Sequence, residues 1–271
     1  MSVAAGSPWS SELTALACRV IPCLDVADGQ VVKGVRFENL TAFGSPAEAA
    51  TRYAHDGADE IVFLDVAASH ECRGPALAWI ERVAERVFIP LTVGGGVRNL
   101  DDARDLLLAG ADKVAVNSAA LESPQILTAL AERYGRQCVV LSVDVRRRPN
   151  GSGKESWEVV TYGGRKRTGR DALAWITEGI ARGAGELLLT SIDRDGTGLG
   201  FDYDLLAAVD AVVDVPMIAS GGAGRAEDFA AALTAGASAV LAAGLFHRGE
   251  LSVRDLKHFL SARGILVRGV S

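Results

Sequence analysis

No uninterrupted apolar run in this chain approaches the roughly 20 residues that a membrane-spanning helix needs, so the sequence reads as a soluble protein with no membrane partner. A basic excess is also missing. The 28 Lys and Arg face 34 Asp and Glu, a formal net charge of -6, which gives no electrostatic reason to bind nucleic acid. Cysteine is scarce: Cys18, Cys23, Cys72 and Cys138 show no C-x-x-C spacing and sit mostly in apolar runs. They are expected to be buried free thiols in a reducing compartment, which places the protein in the cytoplasm. The histidines, His55, His70, His247 and His258, lack paired ligand spacing, so no metal is expected. A G-x-S-x-G nucleophile turn is absent, and no G-x-G-x-x-G follows the first strand. Residues 1–17 carry neither Lys nor Arg and no sustained apolar stretch, which argues for an N-terminal extension rather than a signal peptide.

What the chain does have is 49% apolar residues and 30 glycines, a mixture suited to many short buried strands joined to helices by tight turns. The runs VIPCL, IVFLD, IPLTV, KVAVN, CVVLSVDV, ELLLT, VPMIA and AVLAA each predict a buried parallel strand. Between them, segments 76–86, 100–109, 124–134, 171–182 and 226–235 space Ala and Leu as helices with charged outer faces. Eight such strands predict a single (β/α)8 barrel over residues 18–271.

The chain also repeats itself, because residues 57–118 align with 183–244 at a constant shift and without a gap. IPLTVGGGVRNLDDARDLLLAGADKVAVNS answers VPMIASGGAGRAEDFAAALTAGASAVLAAG, with Pro90 over Pro216, Gly95 over Gly221 and Gly110 over Gly236. A helical solenoid would need several short periods, so the repeat predicts two half-barrels, approximately 18–135 and 136–271. An open doubly wound sheet is the other architecture, but the glycine-rich turns fall symmetrically after the third and seventh strands.

Two long insertions, 26–46 and 146–170, follow strands ending in Asp25 and Asp144. In a barrel they are βα loops on opposite sides of the C-terminal rim, where lids or hairpins are common. The second carries eight Lys and Arg from Arg146 to Arg170, suited either to an anionic substrate or to a solvated loop. Asp25 and Asp144 face one another across the mouth, either as a general acid/base pair or as turn caps. The turns VGGGV and ASGGAG let backbone N–H groups approach a phosphate, with Asn117 and Ser118 on one side and Ala243 and Gly244 on the other as second walls. Two such turns imply a ligand phosphorylated at both ends. Asp193 and Asp195 after strand six, and Asp65 after strand two, either touch that ligand or order their loops. At the opposite strand ends, Arg19, Glu60, Lys113 and Glu186 form a self-compensating set of charges that reads as a stabilising ring.

Together CLDV, VVKGVRFENL, FLDVAAS, TVGGGV, ADKVAVNSAA, LTSIDRDGTGLGFD and IASGGAG resemble the cyclase subunits of imidazole glycerol phosphate synthase, over roughly residues 19–268. The resemblance implies an enzyme that adds ammonia to an open-chain bis-phosphorylated aminoimidazole carboxamide ribonucleotide. The products are imidazole glycerol phosphate and the aminoimidazole carboxamide ribotide, and no cofactor is required. It implies Asp25 and Asp144 as the acid/base pair and Lys33 near the substrate. Gly95, Asn117 and Ser118 would hold one phosphate, and Gly196, Gly222, Ala243 and Gly244 the other, with Asp195 beside the substrate. It also implies a glutaminase subunit docked on the N-terminal barrel face, which makes Arg19, Glu60, Lys113 and Glu186 an ammonia gate. Gly244 departs from the serine common in that family. Two rival functions are the phosphoribosylformimino isomerase of the same pathway and a non-catalytic phosphate-ligand sensor on the same barrel.

Overall fold

The computed structural model describes residues 16–35, 38–65, 77–148 and 155–269, with the backbone alone over 33–35 and 38–43. Its strands, in chain order, are β1 (Arg19–Ala27), β2 (Gln30–Val35), β3 (Glu38–Gly44), β4 (Ile61–Asp65), β5 (Leu91–Gly94) and β6 (Lys113–Val116). They continue with β7 (Val139–Arg147), β8 (Trp157–Thr161), β9 (Lys166–Asp171), β10 (Glu186–Ser191), β11 (Met217–Ser220) and β12 (Ala239–Ala242). Eight of them pair in parallel in the order β1-β4-β5-β6-β7-β10-β11-β12, and β12 returns to β1. The sheet is thus a closed (β/α)8 barrel.

The other four strands account for the two insertions. β2 and β3 form an antiparallel hairpin on β1, and β8 and β9 form another on β7. Asp25 lies opposite Val32 and Asp144 opposite Val160, so each acid sits where a barrel strand begins to pair with its own hairpin.

Successive residues of a strand point to opposite faces, and in a closed barrel one face is the interior. Ile21, Cys23, Val62, Ala115, Val140, Leu188, Ile218, Ala239, Leu241 and Ala243 form that inner cluster. Val20, Leu24, Ile61, Phe63, Val139, Leu141, Leu187 and Leu189 belong to the larger outer core between barrel and helices. Small and branched apolar residues line this interior.

The sequence repeat carries through to the element bounds. Strands Leu91–Gly94 and Met217–Ser220, helices Leu100–Leu108 and Ala226–Thr234, and strands Lys113–Val116 and Ala239–Ala242 correspond residue for residue, and the short helices Ser118–Glu122 and Gly244–His247 start at equivalent positions. Even the helix entries match: Asp102 accepts from the Arg98 N–H and Asp228 from the Gly224 N–H, each at 2.9 Å. β5 and β11 start later than IPLTV and VPMIA suggest. Pro90 and Pro216 lack an N–H for the ladder, and only their carbonyls join it, accepting from Ile61 and Leu187.

Cys18, Cys23 and Cys138 are free thiols, but only Cys23 is fully buried. Cys18 and Cys138 flank strand starts and are half-buried, which corrects the expectation of buried thiols throughout; Cys72 lies outside the described residues. Among the described residues, no helix is long and apolar enough to cross a membrane, and no cluster of three or more His, Cys, Asp or Glu could hold a metal.

One buried ion pair that the sequence did not advertise fastens the last helix to the barrel. Lys257, on the last helix (Val253–Ser261), places Nζ 2.7 Å from Asp59 Oδ1 and 3.1 Å from the Arg268 carbonyl. The other oxygen of Asp59 accepts from the Val20 N–H at 2.8 Å. The pair therefore ties the C-terminal segment to the start of β1. Lys257→Met leaves Asp59 charged and buried without its cation, and is expected to cost about 3–5 kcal/mol in urea unfolding. Amides of Ile265–Val267 should lose hydrogen-exchange protection first.

Candidate active site

The side chains of Asp25 and Asp144 follow the interior phase of their strands, two residues beyond Cys23 and four beyond Val140. β1 and β7 are four steps apart around the eight-strand circuit in either direction, so the acids stand on opposite walls of the mouth. Both are buried. The Cys23 thiol donates to Asp25 Oδ1 at 3.7 Å, while Asn117 Nδ2 donates to Asp144 Oδ2 at 3.0 Å.

Burial pushes the Asp144 carboxyl up to about 7, the Asn117 hydrogen bond pulls it down, and the negative charge of Asp195 raises it. At neutral pH Asp144 is therefore divided between an acid that can give a proton and a base that can take one. Asp195, also buried, is brought near by the turn in which its N–H and that of Arg194 donate to the Ser191 carbonyl. Asp193 has the other role left open for it. Exposed at the rim, it accepts from the Arg147 N–H at 2.8 Å and ties its loop to β7. Asp65 is buried at the end of β4, and its backbone carbonyl lies where a side chain on Gly95 would have to go.

The two glycine turns are built alike. Gly95 has φ +97, and a Cβ there would lie 2.3 Å from the Asp65 carbonyl oxygen. Its repeat partner Gly221 has φ +90, and a Cβ there would lie 2.7 Å from the carbonyl oxygen of Ser191, the counterpart of Asp65; at the next residue, Gly222 (φ +116), a Cβ would lie 2.2 Å from the Gly200 carbonyl oxygen. None of these positions accepts another residue without moving backbone. Beside these turns, Asn117 (φ -120, ψ -93) and Ala243 (φ -119, ψ -73) lead by nearly the same backbone geometry into the short helices that start at Ser118 and Gly244. Gly196 lies at φ +72 in the loop that packs against the second turn. The missing side chain at Gly244 admits Arg248, whose Nη1 lies 2.7 Å from where a Cβ would be. A serine there, as at the equivalent Ser118, would have to displace that guanidinium. Lys33 lies in β2, with its side chain outside the described residues.

At the opposite end of the interior the four charges close into a ring. Arg19 reaches Glu60 at 2.7 Å and also pairs with Glu186, while Lys113 lies 2.9 Å from Glu60 and 2.7 Å from Glu186. Each cation thus bridges both glutamates. Thr92 adds a hydrogen bond to Glu60 at 2.6 Å. Sequence reading missed Thr92 and assigned Asn117 only to phosphate. Strand alternation was the available signal: Thr92 shares the interior phase with Gly94, and Asn117 with Lys113 and Ala115.

Residues 19–252 match the family described as histidine biosynthesis protein. The chain is 57% identical over 255 residues to the imidazole glycerol phosphate synthase subunit HisF of Mycobacterium tuberculosis (strain ATCC 25177 / H37Ra), covering 93% of this chain and 96% of the relative. It is 56% identical over 255 residues to the same-named subunit of Mycobacteroides abscessus, and 56% over 254 residues to that of Beutenbergia cavernae. In both cases 93% of this chain and 99% of the relative are covered.

The raised carboxyl of Asp144 carries a stability signature. Its protonated form is the one the fold favours, so its contribution is complete below the usual Asp value near 3.8 and is lost as pH rises through about 7. Asp144→Asn, which cannot ionise, should therefore gain in Tm relative to the unsubstituted protein as pH goes from 5 to 8. Thermal melts across that range check it, and a pH-independent gap would contradict the assignment.

Proposed function

The chain belongs to the histidine biosynthesis protein family, within it to the cyclase subunits of imidazole glycerol phosphate synthase, and from that premise we propose how its own residues do the work. The observation that carries the reading is the placement of two buried acids on opposite interior walls, between two glycine turns of matching geometry. A molecule with phosphate at each end lies between the turns, held by backbone N–H groups at Gly95, Asn117 and Ser118 on one side and at Gly196, Gly222, Ala243 and Gly244 on the other. Its reactive middle falls between Asp25 and Asp144, with Asp195 alongside and Lys33 on the hairpin above. Adding ammonia and expelling an amine each require one group to give a proton and another to take it, and Asp144 is poised for either task. No cofactor enters the proposal.

Ammonia reaches this mouth along the barrel axis. The interior between the charged ring and the acids is lined by apolar Ile21, Val62, Ala115, Val140 and Leu188, which keeps ammonia away from water and so from protonation. Arg19, Glu60, Lys113 and Glu186 act as the gate. A glutaminase subunit docks on the N-terminal face. In support, that face exposes apolar side chains at Leu16, Phe88, Leu108, Val212 and Leu266, with Phe88 91% exposed. A groove of about 340 Å³ beside Phe88 is lined by Val87, Ile89, Pro90 and Leu91. The barrel divides into halves at about residue 135, and the enzyme works in the cytoplasm. The isomerase reading has no use for ammonia and leaves the ring without a task.

Supplied with the bis-phosphorylated substrate and an ammonium salt at alkaline pH, the isolated chain should form imidazole glycerol phosphate with no partner. Asp25→Asn and Asp144→Asn should each lower kcat by about 10²–10⁴-fold while leaving substrate binding nearly intact. Unchanged turnover in either would remove the acid/base assignment. With the glutaminase present, Lys113→Met should reduce glutamine-driven turnover several-fold and leave ammonium-driven turnover within about twofold. Equal loss in both assays would exclude a gating role.

A further inference from the structure

Three consecutive arginines stand at the end of β7 and just beyond it, and two of them have partners. Arg147 pairs with Glu155, with Asp202 at 2.6 Å and with Asp204 at 3.0 Å, while Arg148 donates to the Gly169 carbonyl at 2.6 Å. Arg146 is different: its Nε is buried and has no hydrogen-bond partner. The carboxylate opposite it on β8, Glu158, is occupied by Arg167 at 3.2 Å and by the Gly169 N–H at 2.6 Å. Arg146 lies two residues beyond Asp144 and therefore on the same, mouth-facing side of the strand, about 6–7 Å farther out. A buried N–H without an acceptor costs free energy in the empty protein and calls for a partner that arrives with a ligand.

A second buried atom, at the end of the neighbouring strand β6, is in the same condition. Asn117 spends its NH2 on Asp144, so its Oδ1 is turned away, buried and without a partner. Asp144 thus has an orphan acceptor on its own hydrogen-bond partner and an orphan donor two residues farther along its strand. A primary carboxamide satisfies both, since its oxygen accepts and its nitrogen donates. We propose that Arg146 is a substrate-binding residue that donates through Nε to the oxygen of the substrate's carboxamide, while Asn117 Oδ1 accepts from the amide nitrogen. This rests on the cyclase reading above, and it sets which end of the bis-phosphorylated molecule lies over the Asp144 wall.

Side-chain geometry supplies the test. Gln carries an N–H donor at the position of Arg Nε, Met carries none, and Lys keeps the charge but moves it one bond outward. In the ammonium-dependent assay, Arg146→Met should raise KM about 10- to 100-fold with kcat little changed, and Arg146→Gln should recover most of the loss. Arg146→Lys should behave like Arg146→Met. Product inhibition gives a second readout. Inhibition by the aminoimidazole carboxamide ribotide should weaken with KM in Arg146→Met, whereas inhibition by imidazole glycerol phosphate, which has no carboxamide, should not. The melting temperature should stay level or rise, because a buried unpaired donor has been removed. KM and both inhibition constants within twofold of the unsubstituted protein would overturn the assignment. Equal weakening by both products, or rescue by Lys and not by Gln, would overturn the carboxamide contact in favour of general charge attraction. An unsubstituted chain that makes no imidazole product would instead overturn the proposed function, and this inference with it.

Discussion

Closure of the sheet is the constraint on which everything else depends. Once β12 pairs with β1, every second side chain of eight strands is committed to the barrel interior, and the chain must provide something suitable at each level. At the bottom it provides four charges that cancel. In the middle it provides apolar residues, and at the top two acids on opposite walls. None of these layers is contiguous in sequence. Each exists because parallel register brings equivalent positions of different strands to the same height.

The charged layer and the acid layer solve the problem of buried charge in opposite ways. Arg19, Lys113, Glu60 and Glu186 satisfy one another completely, with each cation shared between two carboxylates. That arrangement offsets desolvation locally and leaves no group seeking a partner. At the mouth the opposite holds. Asp144 has one hydrogen bond from Asn117 and a second carboxylate close by, so burial prevails and its proton is retained to about neutral pH. An incompletely satisfied set of polar atoms is costly in the empty protein, and it is what a site preorganised for a ligand looks like.

Duplication explains the symmetry of the glycine turns, and the departures from symmetry are informative. Asn117 has Ala243 as its counterpart, and Ser118 has Gly244. Only the Asn117 side can donate to an acid, and only the Gly244 side admits an arginine over its helix start. The two halves therefore share the backbone cradle but differ in the side chains around it, as suits a ligand with similar ends and an asymmetric middle.

The sequence alone determined the eight strands, the internal repeat and the placement of an acid at the ends of two opposite strands, because these depend on local signals: apolar runs, Gly and Pro spacing, and Asp closing two strand runs. It also gave all four ring charges, though not that each cation would bridge both glutamates. Only the tertiary structure decided that Asn117 would serve Asp144, that Thr92 would join Glu60, that Asp193 would tie a loop instead of facing the mouth, and that Lys257 would meet Asp59 from nearly 200 residues away. Those pairings are set by register across neighbouring strands and by how the last helix folds back. A hydrogen bond between distant residues leaves no periodicity in either segment, so nothing in the linear pattern could have announced it.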